Sequence, residues 1–162
     1  LDFQLPHNFD LTYVTSEGTE EMPVVIHRAI YGSLERFIGI IIENFKGAFP
    51  FWLNPYQVAI VPIRTEHNEY AKKVEQVLKE HGIRVEAIYS DKNMRNKIKD
   101  FKQKKDPYIL VLGDKEAEEN TVSVNFRGGN RQVNNIPLDE FVEICCRMNR
   151  EHSLELDPIV KE

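Results

Sequence analysis

The segment "PYILVLGD" restricts the fold more than any other stretch, because every residue from Tyr108 to Leu112 is apolar. Successive side chains of a strand point to opposite faces, so a strand apolar at every position is covered on both. The covers must come from the rest of the chain, and the flanking sequence can supply them. Upstream, "VAIVPI" reads as a strand and "EHNEYAKKVEQVLKEHG" as an amphipathic helix, with Tyr70, Val74, Val77 and Leu78 on one face and Gly82 as its stop. "RVEAIYS" follows as a second strand, then "NMRNKIKDFKQKK" as a helix with Met94, Ile98 and Phe101 inward. Downstream, "TVSVNF" alternates, with Val122, Val124 and Phe126 on one side, which predicts a half-exposed strand. "RGGN" turns the chain into a short last strand near Val133, and a final helix carries the stripe Leu138, Phe141, Val142, Cys145 and Met148. The tail "EHSLELDPIVKE" is expected to fray. This alternation predicts an α/β domain over residues 53–162, with a mixed, roughly five-stranded sheet and helices on both faces.

Residues 1–52 follow a different pattern. "LTYV" and "PVVIHRAIYG" carry the β-branched and aromatic residues of strands, and the polar "TSEGTEEM" between them predicts a turn. From Ser33 the period becomes helical through Leu34, Phe37, Ile38, Ile41 and Phe45. Ser33 is a natural N-cap, and Gly47 and Pro50 close the segment. "AFPFWLNPYQ", rich in proline and aromatic residues, reads as a packed junction. His27 and Val25 share one face of the expected strand, and Glu35 and Arg36 open the helix that leaves its end. Two arrangements suit these residues. One is the floor of a substrate pocket; the other is a buried histidine bonded to backbone, with an arginine paired to Glu35.

A formal net charge of -5 argues against nucleic-acid binding through the field of the whole molecule, but leaves room for a local patch. Lys92, Arg95, Lys99, Lys102 and Lys105 concentrate positive charge on one helix of this acidic chain. The adjacent Cys145 and Cys146 form no disulfide framework, and Cys145 lies on an apolar helical stripe, so a reducing, cytoplasmic setting is expected. The apolar run Phe37 to Ile42 is far short of the roughly 20 residues that cross a bilayer. The first strand of the α/β part runs into "RTEHNEY", with no glycine-rich phosphate loop, which disfavours a nucleotide-cofactor fold. A start without methionine, inside what reads as a sheet, suggests a piece of a longer protein.

The stretch "HRAIYGSLERFIGIIIENFKGAFPFWLNPYQ" resembles the third signature motif of class II aminoacyl-tRNA synthetases, and is most similar to the threonyl-tRNA synthetases. The core of the motif is Gly32-Ser33-Leu34-Glu35-Arg36, and "GIRVEAIYSD", "PYILVLGDKE" and "VSVNFRGG" follow where that family has its anticodon-binding domain. The resemblance implies that residues 1–52 are the C-terminal piece of a catalytic domain, with its last antiparallel strands and motif 3 helix, and that residues 53–162 bind the anticodon. It implies ATP binding, with magnesium, by Arg36 and by Ser33 and Glu35 beside it, Arg36 stabilising charge on the reacting phosphate. It implies a zinc ligand at His27, the other two ligands lying upstream of this chain. Anticodon contacts are implied at Asp91, Lys99, Lys105, Glu116 and Asn125, with Arg127 as a substitute for the arginine that Asn125 replaces. The implied whole is a homodimeric, cytoplasmic ligase joining threonine to its tRNA. The alternatives are a non-catalytic α/β binding or regulatory module, or the anticodon domain of a prolyl- or histidyl-type relative.

Overall fold

The computed structural model describes residues 1–90, 93–128, 132–157 and 159. Contacts divide the chain into two compact units, Leu1–Ile41 and Ile42–Glu162.

The second unit is built on a five-stranded sheet in the order β4-β3-β5-β6-β7. Its strands are β3 (Val58–Pro62), β4 (Val85–Ala87), β5 (Tyr108–Leu112), β6 (Thr121–Phe126) and β7 (Gln132–Pro137). β3 pairs in parallel with β4 and β5, whereas β5–β6 and β6–β7 are antiparallel. From β3 the chain steps outward through α3 (Asn68–Glu80) to β4, then back past β3 through α4 (Met94–Lys104) to β5. Crossovers of one hand that run in opposite directions lie on opposite faces of a sheet. The core divides accordingly. Val58, Ile60, Tyr108, Leu110, Val122 and Val124 pack under α3 and the final helix α6 (Leu138–Glu151), while Ala59, Val61 and Ile109 pack under Phe101, Ile98 and Met94 of α4. All five residues of β5 are buried, and the α6 stripe from Leu138 to Met148 is buried at each expected position.

The structure corrects two expectations in this unit. Thr121 to Val124 are buried on both sides rather than half exposed. The reason is a helix the periodicity does not reveal, α5 (Asp114–Glu119), whose Glu116 receives the Ser123 hydroxyl at 2.5 Å. The tail does not fray at Asp157: its carbonyl accepts from the Tyr108 hydroxyl at 2.9 Å, its carboxylate pairs with Arg147, and Ile159 is buried against the main core.

In the first unit, α1 (Gln4–Asn8) precedes a hairpin of β1 (Tyr13–Val14) and β2 (Glu20–Glu21). β1 lies in the expected strand "LTYV", whereas its partner Glu20–Glu21 falls inside the expected turn, because Thr15 and Thr19 bond through their hydroxyls and backbone and close the hairpin tightly. The expected strand around His27 is reduced to one bridge, Val25 with Asp2. Its side-chain pattern suits a strand, but backbone groups join a sheet only where a neighbour accepts and donates. Helix α2 (Leu34–Phe45) forms as expected, with the hydroxyl of Ser33 accepting from the amide of Arg36 at 3.4 Å.

Candidate nucleic-acid interface

At the start of α2, the Ser33 hydroxyl also donates to Glu35 Oε2 at 2.8 Å. That bond and the backbone N–H of Glu35 itself, the larger influence, hold the Glu35 carboxyl below its usual range. Ser33 and Glu35 thus form a capping arrangement on the first turn, and Arg36 stands exposed beside them. His27 lies exposed, outside any helix or strand. Among the described residues, no group of three or more His, Cys, Asp or Glu side chains could hold a metal ion.

The second concentration of expected site residues surrounds the C-terminal end of α4. Asn93 starts that helix by accepting the Arg95 amide at 3.0 Å. Lys105 ends it in the left-handed conformation, with φ of 61°. Arg95, Lys99 and Lys102 line one shallow surface of the helix, in contact with Ile98. Lys97 does not join them. It is only 3% exposed, and its ammonium donates to the Pro62 carbonyl at 3.3 Å. The spacing carried that signal, since position 97 is three residues from Met94 and four from Phe101, on the inward face.

Lys102, Lys105, Asn125 and Arg127 converge on a cavity of about 290 Å³. Asn125 reaches it because β6 places it opposite Ile109, on the sheet face that α4 covers only in part. The two innermost cations are held by backbone oxygens: Arg127 donates to the carbonyls of Lys105 at 2.6 Å and Phe49 at 2.5 Å, and Lys105 donates to the carbonyl of Lys46. Cations oriented in this way lose little freedom on meeting an anion. Burial pushes the Arg127 guanidinium down from its ordinary value, opposed by Asp106.

Asp106 is the residue that sequence reasoning missed in this cavity. It is 5% exposed, and its Oδ2 has no hydrogen-bond partner among the described residues. Burial, reinforced by Glu86, pushes its carboxyl up to about 6, against the pull of Lys104 and Arg127. The only hint in the sequence was an acidic residue wedged between a lysine run and a proline.

Glu116 belongs to α5 and meets β6 at Ser123. Its two oxygens accept from the Gly113 amide at 2.9 Å and the Ser123 hydroxyl at 2.5 Å, so its first task is to bracket the turn between β5 and β6. The structure therefore gathers Lys105, Asn125 and Arg127 in one cavity, puts Lys99 on the adjoining helix surface and sets Glu116 at the other end of the same sheet face. Asp91, the remaining expected contact, and Lys92 lie outside the described residues.

Comparison with known proteins supplies the context. A family model described as "Anticodon binding domain" matches residues 57–147. A threonine–tRNA ligase of Acidobacterium capsulatum is 50% identical over 141 residues, covering 87% of this chain and 21% of that protein. One from Syntrophomonas wolfei is 54% identical over 127 residues, covering 78% and 20%. The chain thus spans about a fifth of the length of these curated relatives. Among solved structures, the RNA binding domain of threonyl-tRNA synthetase from Cryptosporidium parvum superposes with a TM-score of 0.70 at 38% identity, over 91% of this chain and 37% of that one. Prolyl-tRNA synthetase from the same organism, at 19% identity and a TM-score of 0.61 over 90% and 31%, shares the fold.

Proposed function

We propose a function from one premise: the chain belongs to the threonine–tRNA ligase family and carries its anticodon binding domain. On this reading, the cavity between α4 and β6 receives the anticodon loop of a threonine tRNA. The observation that carries it is the convergence of Lys102, Lys105, Asn125 and Arg127 on a partly uncovered sheet face, in a chain whose net charge is -5. Lysine and arginine neutralise phosphates, and an unstacked loop offers base edges to the amide of Asn125. Lys99 extends the phosphate track along α4, Glu116 meets the loop at the far end of β6, and Asp91 adds a further contact.

Residues 1–52 act, on the same reading, as the last part of a catalytic domain that activates threonine with ATP and magnesium, and residues 53–162 as the anticodon-binding part. The exposed Arg36 binds the nucleotide phosphates, and the mutual bond of Ser33 and Glu35 suits them to holding the helix start that presents it. Zinc does not fit the residues present as a self-contained site, because His27 is a single exposed imidazole with no ligand cluster among the described residues. His27 would serve as one ligand among others from the rest of a longer, homodimeric, cytoplasmic enzyme.

The test of the anticodon reading is titration of the 162-residue chain with a fluorescent threonine anticodon stem-loop and an anticodon-swapped control. Tighter binding of the threonine loop, weakening steeply with salt, is expected; equal affinity for both loops refutes the reading. In the full-length enzyme, Arg36→Ala is expected to lower ATP–pyrophosphate exchange by about 100-fold or more, as loss of a charge-stabilising donor does. His27→Ala is expected to lower zinc content, measured by metal analysis. Normal exchange or normal zinc removes the respective residue from the catalytic site.

A further inference from the structure

The cavity at the end of α4 holds one group that phosphate binding does not explain. A carboxylate repels phosphate, yet Asp106 lies among Lys102, Lys105 and Arg127 with an acceptor oxygen that no described residue satisfies. Buried acceptors are nearly always paired, so an orphan of this kind needs a donor from elsewhere. The groups around it are donors: the ammonium groups of Lys102 and Lys105, the guanidinium of Arg127 and the amide of Asn125. A carboxyl that is only 5% exposed and these donors therefore line one cavity.

We propose that Asp106 is a specificity-determining residue that accepts the N3–H of a uracil from the anticodon loop, while the neighbouring donors take its O2 and O4. This inference rests on the anticodon reading and deepens it. The Watson–Crick edge of uracil runs acceptor, donor, acceptor, which complements the cavity. Cytosine presents an unprotonated N3 at the same place and meets the carboxylate as acceptor against acceptor. The chemistry reverses when the carboxyl takes a proton, because the acid can then donate to cytosine N3. The charged groups that act on this carboxyl are Glu86 on β4, Lys104 on α4 and Arg127 after β6; burial, reinforced by Glu86, outweighs the two cations, so the proton is taken up near pH 6. A charge-balancing role for Asp106 would not produce a base preference that depends on pH.

The experiment measures binding of the 162-residue chain to three versions of the threonine anticodon stem-loop by fluorescence anisotropy. They carry uracil, N3-methyluracil or cytosine at the third anticodon position. At pH 7.5 the wild-type chain is expected to prefer uracil over both others by a factor of about ten, the scale of one base contact. At pH 5.5 the preference over cytosine is expected to collapse. Asp106→Asn and Asp106→Leu, checked for folding by circular dichroism, are expected to lose it at both pH values, whereas Lys99→Ala, on the phosphate track outside the cavity, should weaken all three loops alike. Wild-type binding with an undiminished uracil preference in Asp106→Asn and Asp106→Leu, or with no preference at pH 7.5, overturns this inference and leaves the anticodon reading standing. Absence of any binding by the wild-type chain overturns both.

Discussion

The two units of this chain spend similar apolar sequence in opposite ways. In Ile42–Glu162, Ile60, Leu78, Leu110, Phe101 and Phe141 are fully buried. In Leu1–Ile41, Leu1, Phe9, Ile26 and Ile30 are each more than two-thirds exposed, and α2 buries no residue fully despite its apolar run. A local pattern selects an element type, but burial needs a second element to receive the stripe. α3, α4 and α6 each find a sheet face; the segment around His27 finds one bridge to Asp2. An exposed apolar surface of this kind suits contact with a further surface.

The sharpest way to break that contrast is truncation on both sides of it. Phe141→Ala or Leu110→Ala is expected to destabilise by about 3–5 kcal/mol, and Ile26→Ala or Ile30→Ala by no more than about 0.5 kcal/mol, measured by urea unfolding of the whole chain. Comparable losses on both sides would mean that the first unit has a core of its own. A smaller effect sharpens the same comparison through titration. The Asp2 carboxyl lies below its usual range because the amides of Leu5 and Gln4 bond to it, whereas burial pushes Asp106 up to about 6. An acid raised on folding makes the folded state bind more protons, so stability falls as pH rises from the ordinary value of 3.8 towards 6. The cost is absent below that window and complete above it. Asp106→Asn is therefore expected to stabilise the chain by about 1–2 kcal/mol at pH 7.5, with the advantage fading below pH 4, read from urea midpoints at each pH. A gain that does not change with pH would assign the effect to packing instead.

Much of the second unit was legible in the sequence. β5, the α6 stripe and the inward Phe101 depend on spacing within a few residues, as does the N-cap at Ser33 in the first unit, and the structure bears each out. The motif around Arg36 and the order of the downstream segments identified the family, because a long ordered match is far more specific than any residue pair. Helix α5 was missed because six residues offer too little periodicity, although Glu116 reaching back to the Gly113 amide is a capping signal. The tail was misjudged because one of its anchors, Tyr108, lies far back in the chain, and the other, Arg147, reaches it across the end of α6.

The sequence by itself determined the longer elements of the second unit, β3, β5, α3, α4 and α6, and which side of each helix is apolar, because those periods are properties of the local backbone. Only the tertiary structure decided that Asp106 is buried, that Ser123 is sealed by Glu116, and that Lys105 and Arg127 are tied to the carbonyls of Lys46 and Phe49. Burial and charge environment are set by residues brought together from separate parts of the chain, so the chemistry of the cavity at the end of α4 exists only once the sheet has formed.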